Sequence, residues 1–349
     1  MPSATPQNKL TFATGYPAAL NDLQTVTKQI EPDLIFGLYA LLTAAGVSID
    51  YCEADVISGH AAQFLYSREH PECTQLAFSP PTDTLFRALS VAWKEITPSG
   101  VDAAFAVWRD HISSGEICLA RLNEPLLVYG FSENRVGANI AVARIWRRLT
   151  PEIITLSECE SRFWRYPVDE GNLLLFIEEI PPRIPEIKDV IVPITRRTAR
   201  AWFSTDLAGC ATGEAAYLKF AADLKDPLVD FSAGPTSQWM GTALWRQWTA
   251  RRSLYRFYER VAPRFGGAER QIITKAAFDY GQCVESWQKW ANLLGPTWDI
   301  SRNGFPNDYP DEFVKRWHNM ALRTQASHWI DEARIWEEKA VSELTRLIH

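Results

Sequence analysis

The chain has few of the features that would announce a chemistry. Its six cysteines, at positions 52, 73, 118, 159, 210 and 283, include no CxxC pair, and 349 residues need no disulfide staples. The start, MPSATPQNKL, lacks the apolar run with basic flank of a signal peptide. The most apolar stretch, Leu34 to Val47, is too short to span a bilayer. A reduced, cytoplasmic setting is expected, with no membrane partner. No GxxxxGK[ST] loop, HExxH or GxSxG is present, and His318 and His328 stand ten residues apart, a spacing that forms no chelate on one helix face. Neither a metal nor a cofactor is expected. A positive surplus is missing too: the net charge is −6, which argues against nucleic acid as a partner.

What is present reads as two domains. Hydrophobic residues make up 46% of the chain and charged residues 22%, enough to build sizeable cores. From residue 196 onward 21 Lys and Arg meet 18 Asp and Glu, net +3, so residues 1–195 carry −9. The expected division is an α+β domain over 1–180, a proline-rich linker over 181–195 (IPPRIPEIKDVIVPIT spans 180–195), and an α-helical domain over 196–349.

In the first part a short helix is expected near Ala18–Ile30. A second opens at Asp33 as N-cap and stops at Gly46. Its Leu34, Ile35, Phe36, Leu38, Tyr39, Leu41 and Leu42 leave no polar face, the pattern of a helix buried at a domain centre. His60–Tyr66 reads as a strand or short bend. Helices follow from Pro80–Asp83 through Ile96 and over Val101–Ser114. After Gly115 the texture turns to strands: ICLARL, PLLVYGF, ANIAVARIW and NLLLFIEEI. Helices first and strands afterwards predict an α+β domain with an antiparallel sheet. Beyond the linker, helices are expected over Thr198–Asp226 (broken near Gly209–Gly213), Ser237–Phe265, Ala268–Leu294 and Asp311–Leu347, packed as an antiparallel bundle. Ten of the 14 tryptophans lie here, several at helical spacing, as a core stripe, an aromatic-lined pocket or a dimer interface.

Two clusters carry candidate chemistry. His60 follows the Ser58-Gly59 break, with Cys52, Glu53 and Asp55 close before it. It reads either as a base or ligand contact in a polar pocket that includes Cys52, Glu53, Ser58 and Gln63, or as a turn histidine at the surface. Arg252, Arg256, Arg260 and Arg264 recur every four residues. That stripe suits an acidic partner or anionic ligand. It equally suits pairing with Asp331, Glu332, Glu337, Glu338 and Glu343 of the last helix.

The stretch LIFGLYALLTAAGVSIDYCEADVISGHAAQF, from Leu34 to Phe64, resembles the opening of the butirosin-biosynthesis-H-like proteins, a branch of the papain-like (C39-peptidase-like) fold. Leu41-Leu42, Gly46, Ile49 to Glu53 and Ser58-Gly59-His60-Ala61 carry the likeness. SGEICLARLNEPLLVYGF and GEAAYLKFAADL extend it into the sheet and the helical half. The resemblance implies a papain-like core around a buried helix, in a bacterial enzyme of specialised metabolism. Active members place a cysteine at that helix's N-terminus and a histidine early in the sheet. Here Asp33 stands at or near the first position, and NEPLLVYGF offers Glu124 and Tyr129 instead of histidine. Thiol-based acyl transfer or proteolysis therefore does not carry over.

Two expectations result. One is an enzyme acting on a small-molecule or carrier-bound substrate, with Asp33, His60, Glu124 and Tyr129 as acid/base groups and the arginine stripe docking an acidic carrier. The other is a catalytically degenerate domain that binds a small molecule, peptide or partner protein.

Overall fold

The computed structural model describes residues 10–13, 34–70, 77–134, 137–145, 149–164, 172–231, 242–294 and 311–348. In chain order its main elements are β1 (Thr11–Phe12), α1 (Leu34–Ala44), α2 (Tyr51–Ile57), β2 (Leu65–Tyr66), α3 (Pro81–Ala88), β3 (Ala92–Ile96), α4 (Val101–Ser113), β4 (Cys118–Arg121), β5 (Leu126–Asn134), β6 (Gly137–Arg144), β7 (Thr150–Thr155), α5 (Leu156–Phe163) and β8 (Leu173–Glu179). Then come α6 (Ile187–Phe203), β9 (Asp206–Leu207), β10 (Cys210–Thr212), α7 (Gly213–Lys225), α8 (Thr242–Val261), α9 (Gly267–Leu294), α10 (Asp311–His318) and α11 (Met320–Thr345). The fold is α+β, with an antiparallel sheet and a helical C-terminal region. The expected helix over Ala18–Ile30 and Asp33 lie outside the described residues.

The chain forms two compact units that interleave in sequence. Met1–Asp50 and Ser90–Ile184 contribute to one, Tyr51–Leu89 and Pro185–Ser301 to the other, which also takes Phe305–His349. A single division near residue 180 therefore misses the insertion of residues 51–89 into the helical unit.

In the first unit seven strands make one antiparallel sheet in the order β3-β8-β4-β5-β6-β7, with β1 paired to β5. The helix α1 buries every residue from Ile35 to Leu42, as its all-round apolar sequence requires. Gly37 lets it approach the sheet: a Cβ there would stand 3.0 Å from Leu119 Cδ1. Gly46, at φ +90°, ends the helix, and Val47 N–H returns to Leu42 O.

The expected helix from Pro80 to Ile96 ends early. Ser90 takes φ +57° after α3, and Ala92–Ile96 pairs with β8 as a strand. A non-glycine residue in the left-handed region leaves no mark that composition could reveal.

The second unit holds the aromatic core. Trp287, Trp290 and Trp317 are buried with Phe64, Tyr217, Phe220 and Phe231, so these three tryptophans are core. The expected linker over 181–195 is helical only from Ile187 onward, and the boundary between the units falls in its first part. Glu186 and Asp189 cap α6 reciprocally, and Ile187, Ile191, Ile194 and Thr198 are buried along one face despite Pro193. The break near Gly209 is a tight hairpin, β9–β10, with Ala208 and Gly209 both at positive φ and β10 paired to β2. Among the described residues no helix is long and apolar enough to cross a membrane.

Candidate functional site

Helix α2 is short because Gly59, at φ +79°, turns the chain after Ile57. The turn folds back on the helix: Ala61 N–H donates to Asp55 O, and Ser58 Oγ–H donates to the same carbonyl at 2.8 Å. His60 N–H in turn donates to Ser58 Oγ at 3.3 Å. These bonds bring the ring of His60 back over α2, where its Nδ1 lies 2.8 Å from Asp55 Oδ1. Both side chains are buried, His60 at 9% exposure and Asp55 at 2%.

With Nδ1–H donating to Asp55, the neutral ring carries its lone pair on Nε2. His60 lines a recess of about 10 Å³ with Gln63, Leu65, Arg246, Gln247 and Ala250. That is room for a single water.

The recess is braced from inside the unit. Arg251, fully buried on α8, meets Glu337 of α11 through Nε–Oε2 at 2.9 Å and Nη2–Oε1 at 3.0 Å. Its Nη1 donates to Gln247 Oε1 at 2.8 Å and to the Gln63 carbonyl at 3.2 Å. Gln247 is thereby oriented with its amide NH₂ left to donate. Glu337 also accepts from Tyr217 O–H at 2.5 Å, and Tyr217 accepts from Trp287 Nε1–H at 3.0 Å. Burial works against the charge on Arg251, yet Glu337, with Tyr217 and Cys283 beside it, more than offsets it and holds the guanidinium firmly protonated.

The other sequence candidates are distributed as follows. Gln63 and Ser58 belong to the His60 turn, with Gln63 Nε2–H donating to Gly59 O at 3.3 Å. Cys52 and Glu53 stand half-buried in the first turn of α2, with Glu53 Oε1 3.8 Å from Arg264. Glu124 lies in the other unit, clamped by both arms of Arg144, which also reaches Glu152 at 3.2 Å. A carboxylate held that way is a strut of the β5–β6 region. Tyr129 is buried in the same unit and stacks on Phe12 with ring centres 6.0 Å apart; burial raises its hydroxyl pKa.

The arginine stripe divides. Arg252 lies over Trp248, 4.7 Å from the ring centre. Arg256 and Arg260 are exposed on α8, and Arg264 sits in the one-turn 3₁₀ segment Ala262–Arg264. The acidic last helix finds other cations: Glu337 takes Arg251, Asp331 takes Lys225 at 3.1 Å, and Glu343 takes Arg346. Pairing of the stripe with Asp331, Glu337 and Glu343 is therefore corrected. The residue one position off the stripe is the one that faces inward.

Thiol chemistry finds no support in the buried cysteines. Desolvation pushes the Cys159 thiol up to about 12 and raises Cys118 and Cys283 as well. Among the described residues no three His, Cys, Asp or Glu side chains gather to hold a metal ion.

Sequence reasoning missed Asp55 as the partner of His60, although the five-residue spacing across a Gly turn was there to read. It also missed Arg251 and Glu337, whose pairing across 86 residues has no local signal.

The chain matches no protein-family model and no curated protein.

Proposed function

We propose that the chain is an enzyme acting on a small-molecule or carrier-bound substrate by acyl- or amide-type transfer, cyclisation or hydrolysis, with His60 as its proton-transfer group. The observation that carries this is the buried Asp55–His60 pair at 2.8 Å beside a water-sized recess. Nε2 of His60 takes the proton of an attacking water, hydroxyl or amine. Asp55 holds the ring in register and stabilises the imidazolium that results. Gln247, turned by Arg251, and Arg246 supply N–H donors on the same recess for charge developing on an acyl oxygen. No cysteine nucleophile enters this scheme.

The kinship with the butirosin-biosynthesis-H-like branch of the papain-like fold is part of the same proposal. It is supported by the buried helix α1 against an antiparallel sheet. We assign the protein to the cytoplasm of a bacterium, in keeping with free thiols at Cys118, Cys159 and Cys283. An acidic carrier would dock on exposed Arg256 and Arg260. The second reading, a degenerate domain that only binds, draws on the Arg144 clamp that removes Glu124 from acid/base work.

Turnover of p-nitrophenyl esters and N-acetylcysteamine thioesters separates the two. His60→Gln is expected to lower kcat by about 100-fold or more, and Asp55→Asn by a smaller factor with an altered pH profile. Turnover in both variants equal to that of the parent, with folding intact by circular dichroism, removes the catalytic assignment.

A further inference from the structure

The turn that carries His60 has a second recess on it, and its chemistry differs. Ser58, Gly59 and Gln63 line it together with Phe78, Ser79, Arg197, Arg200 and Ala201, around a space of about 20 Å³. Arg197 enters from α6, with Nη2–H donating to Ile57 O at 2.8 Å. Its Nε is buried and has no hydrogen-bond partner. Arg200, one turn later, lays its guanidinium over Phe78 at 5.6 Å from the ring centre.

Among the described residues no carboxylate pairs with either arginine, and none lines the recess. Two guanidinium groups, one of them half-buried and desolvated, thus share a polar depression with no counter-charge among the described residues. A desolvated cation without an anion is unfavourable, and the usual remedy in such a place is a bound oxyanion. A carboxylate would leave one positive charge uncompensated. A phosphate monoester, with about −1.5 to −2 at neutral pH, balances the pair. Space for one or two oxygen atoms suits an anion that inserts its oxygens and leaves its ester arm outside.

We infer that the Arg197–Arg200 recess binds the phosphate of a phosphorylated substrate whose reacting end reaches His60. Gln63 lines both recesses, so the two ends of such a molecule would lie on either side of one turn. The location of the reacting end rests on the function proposed for His60; the phosphate site does not.

Inorganic phosphate is the probe. Calorimetric titration of the full chain at constant ionic strength is expected to show binding, weakened by about tenfold or more in Arg200→Gln, the loss of one charge-assisted hydrogen bond. Arg200 is exposed, so its substitution spares the fold. Arg270→Gln, an exposed change on α9 away from the recess, is expected to change nothing. Absence of phosphate binding to the parent chain overturns the inference, as does an equal loss in Arg270→Gln. Acetate binding as tightly as phosphate overturns the assignment to a dianion. His60→Gln keeps phosphate affinity while losing ester turnover, so failure of the anion site and failure of the His60 assignment give different results.

Discussion

Glu337→Gln removes half of the charge pair at the centre of the helical unit, and its cost can be worked from the contacts. The carboxylate takes two hydrogen bonds from Arg251 and one from Tyr217, with both charged side chains at 2% exposure or less. The amide keeps one acceptor oxygen and turns an NH₂ toward a donor. Arg251 is then left charged in a site without water. Breaking a buried pair from one side costs about 3–5 kcal/mol, against a total domain stability of about 5–15 kcal/mol. Urea denaturation followed by circular dichroism should therefore show a midpoint displaced far to lower denaturant, with the slope unchanged if the native state stays compact. Arg251→Met combined with Glu337→Leu removes both charges and should lose less than the sum of the single changes. It still costs roughly 1–3 kcal/mol per group left without a donor, since Gln247 Oε1 and the Gln63 carbonyl lose theirs. A strictly additive cycle, or a Glu337→Gln loss under about 1 kcal/mol, would refute the view that this pair is desolvated and mutually dependent.

Gly213→Ala should fail to accumulate as folded protein, because its φ is +55° and a Cβ would stand 2.1 Å from Trp202 O; native expression with an unchanged melting curve would contradict that backbone approach. Glu158 is held below the usual carboxylate range first by the Thr155 backbone N–H and then by its hydroxyl. The folded pKa is depressed, so this capping contribution is present above the unfolded glutamate pKa and is lost as pH falls through the folded one; a carbon-detected NMR titration should place Glu158 low, and Thr155→Val should raise it. Cys159, buried and pushed up to about 12, should leave the fast phase of Ellman's-reagent labelling at mildly alkaline pH unchanged when replaced by Ser; loss of that phase would show that the thiol is accessible.

Periodicity reaches as far as one element and its cap, and the comparison of sequence with structure divides along that line. The all-apolar run of α1, the strand texture after Gly115 and the Trp287–Trp290 spacing each state a local burial demand, and each was met, whereas Trp329 and Trp336 are only partly buried. Proline content misled over 187–195, because the buried stripe Ile187, Ile191, Ile194 and the Glu186–Asp189 cap outweigh one exposed proline in α6. At the His60 site, the turn was legible from Ser58-Gly59, and Asp55 was within reach of the same reasoning. The rest of that site is assembled by contacts at long sequence separation: Arg251 to Glu337 across 86 residues, Arg251 to the Gln63 carbonyl across 188, and Arg197 to the Ile57 carbonyl across 140. The two contacts to the Gln63 and Ile57 carbonyls depend on residues 51–89 belonging to the helical unit rather than to the sheet unit that surrounds them in sequence. The places of Arg251 and Arg197 follow in part from that insertion. The carbonyls of Ile57 and Gln63 end up inside a helical unit where neighbouring backbone does not satisfy them, and a guanidinium, with five donors in a planar fork, can reach such a carbonyl and a second partner at once. A four-residue arginine repeat says nothing of this. The arginines that reach the inserted turn, Arg251 and Arg197, lie off that repeat and meet the acceptors it leaves.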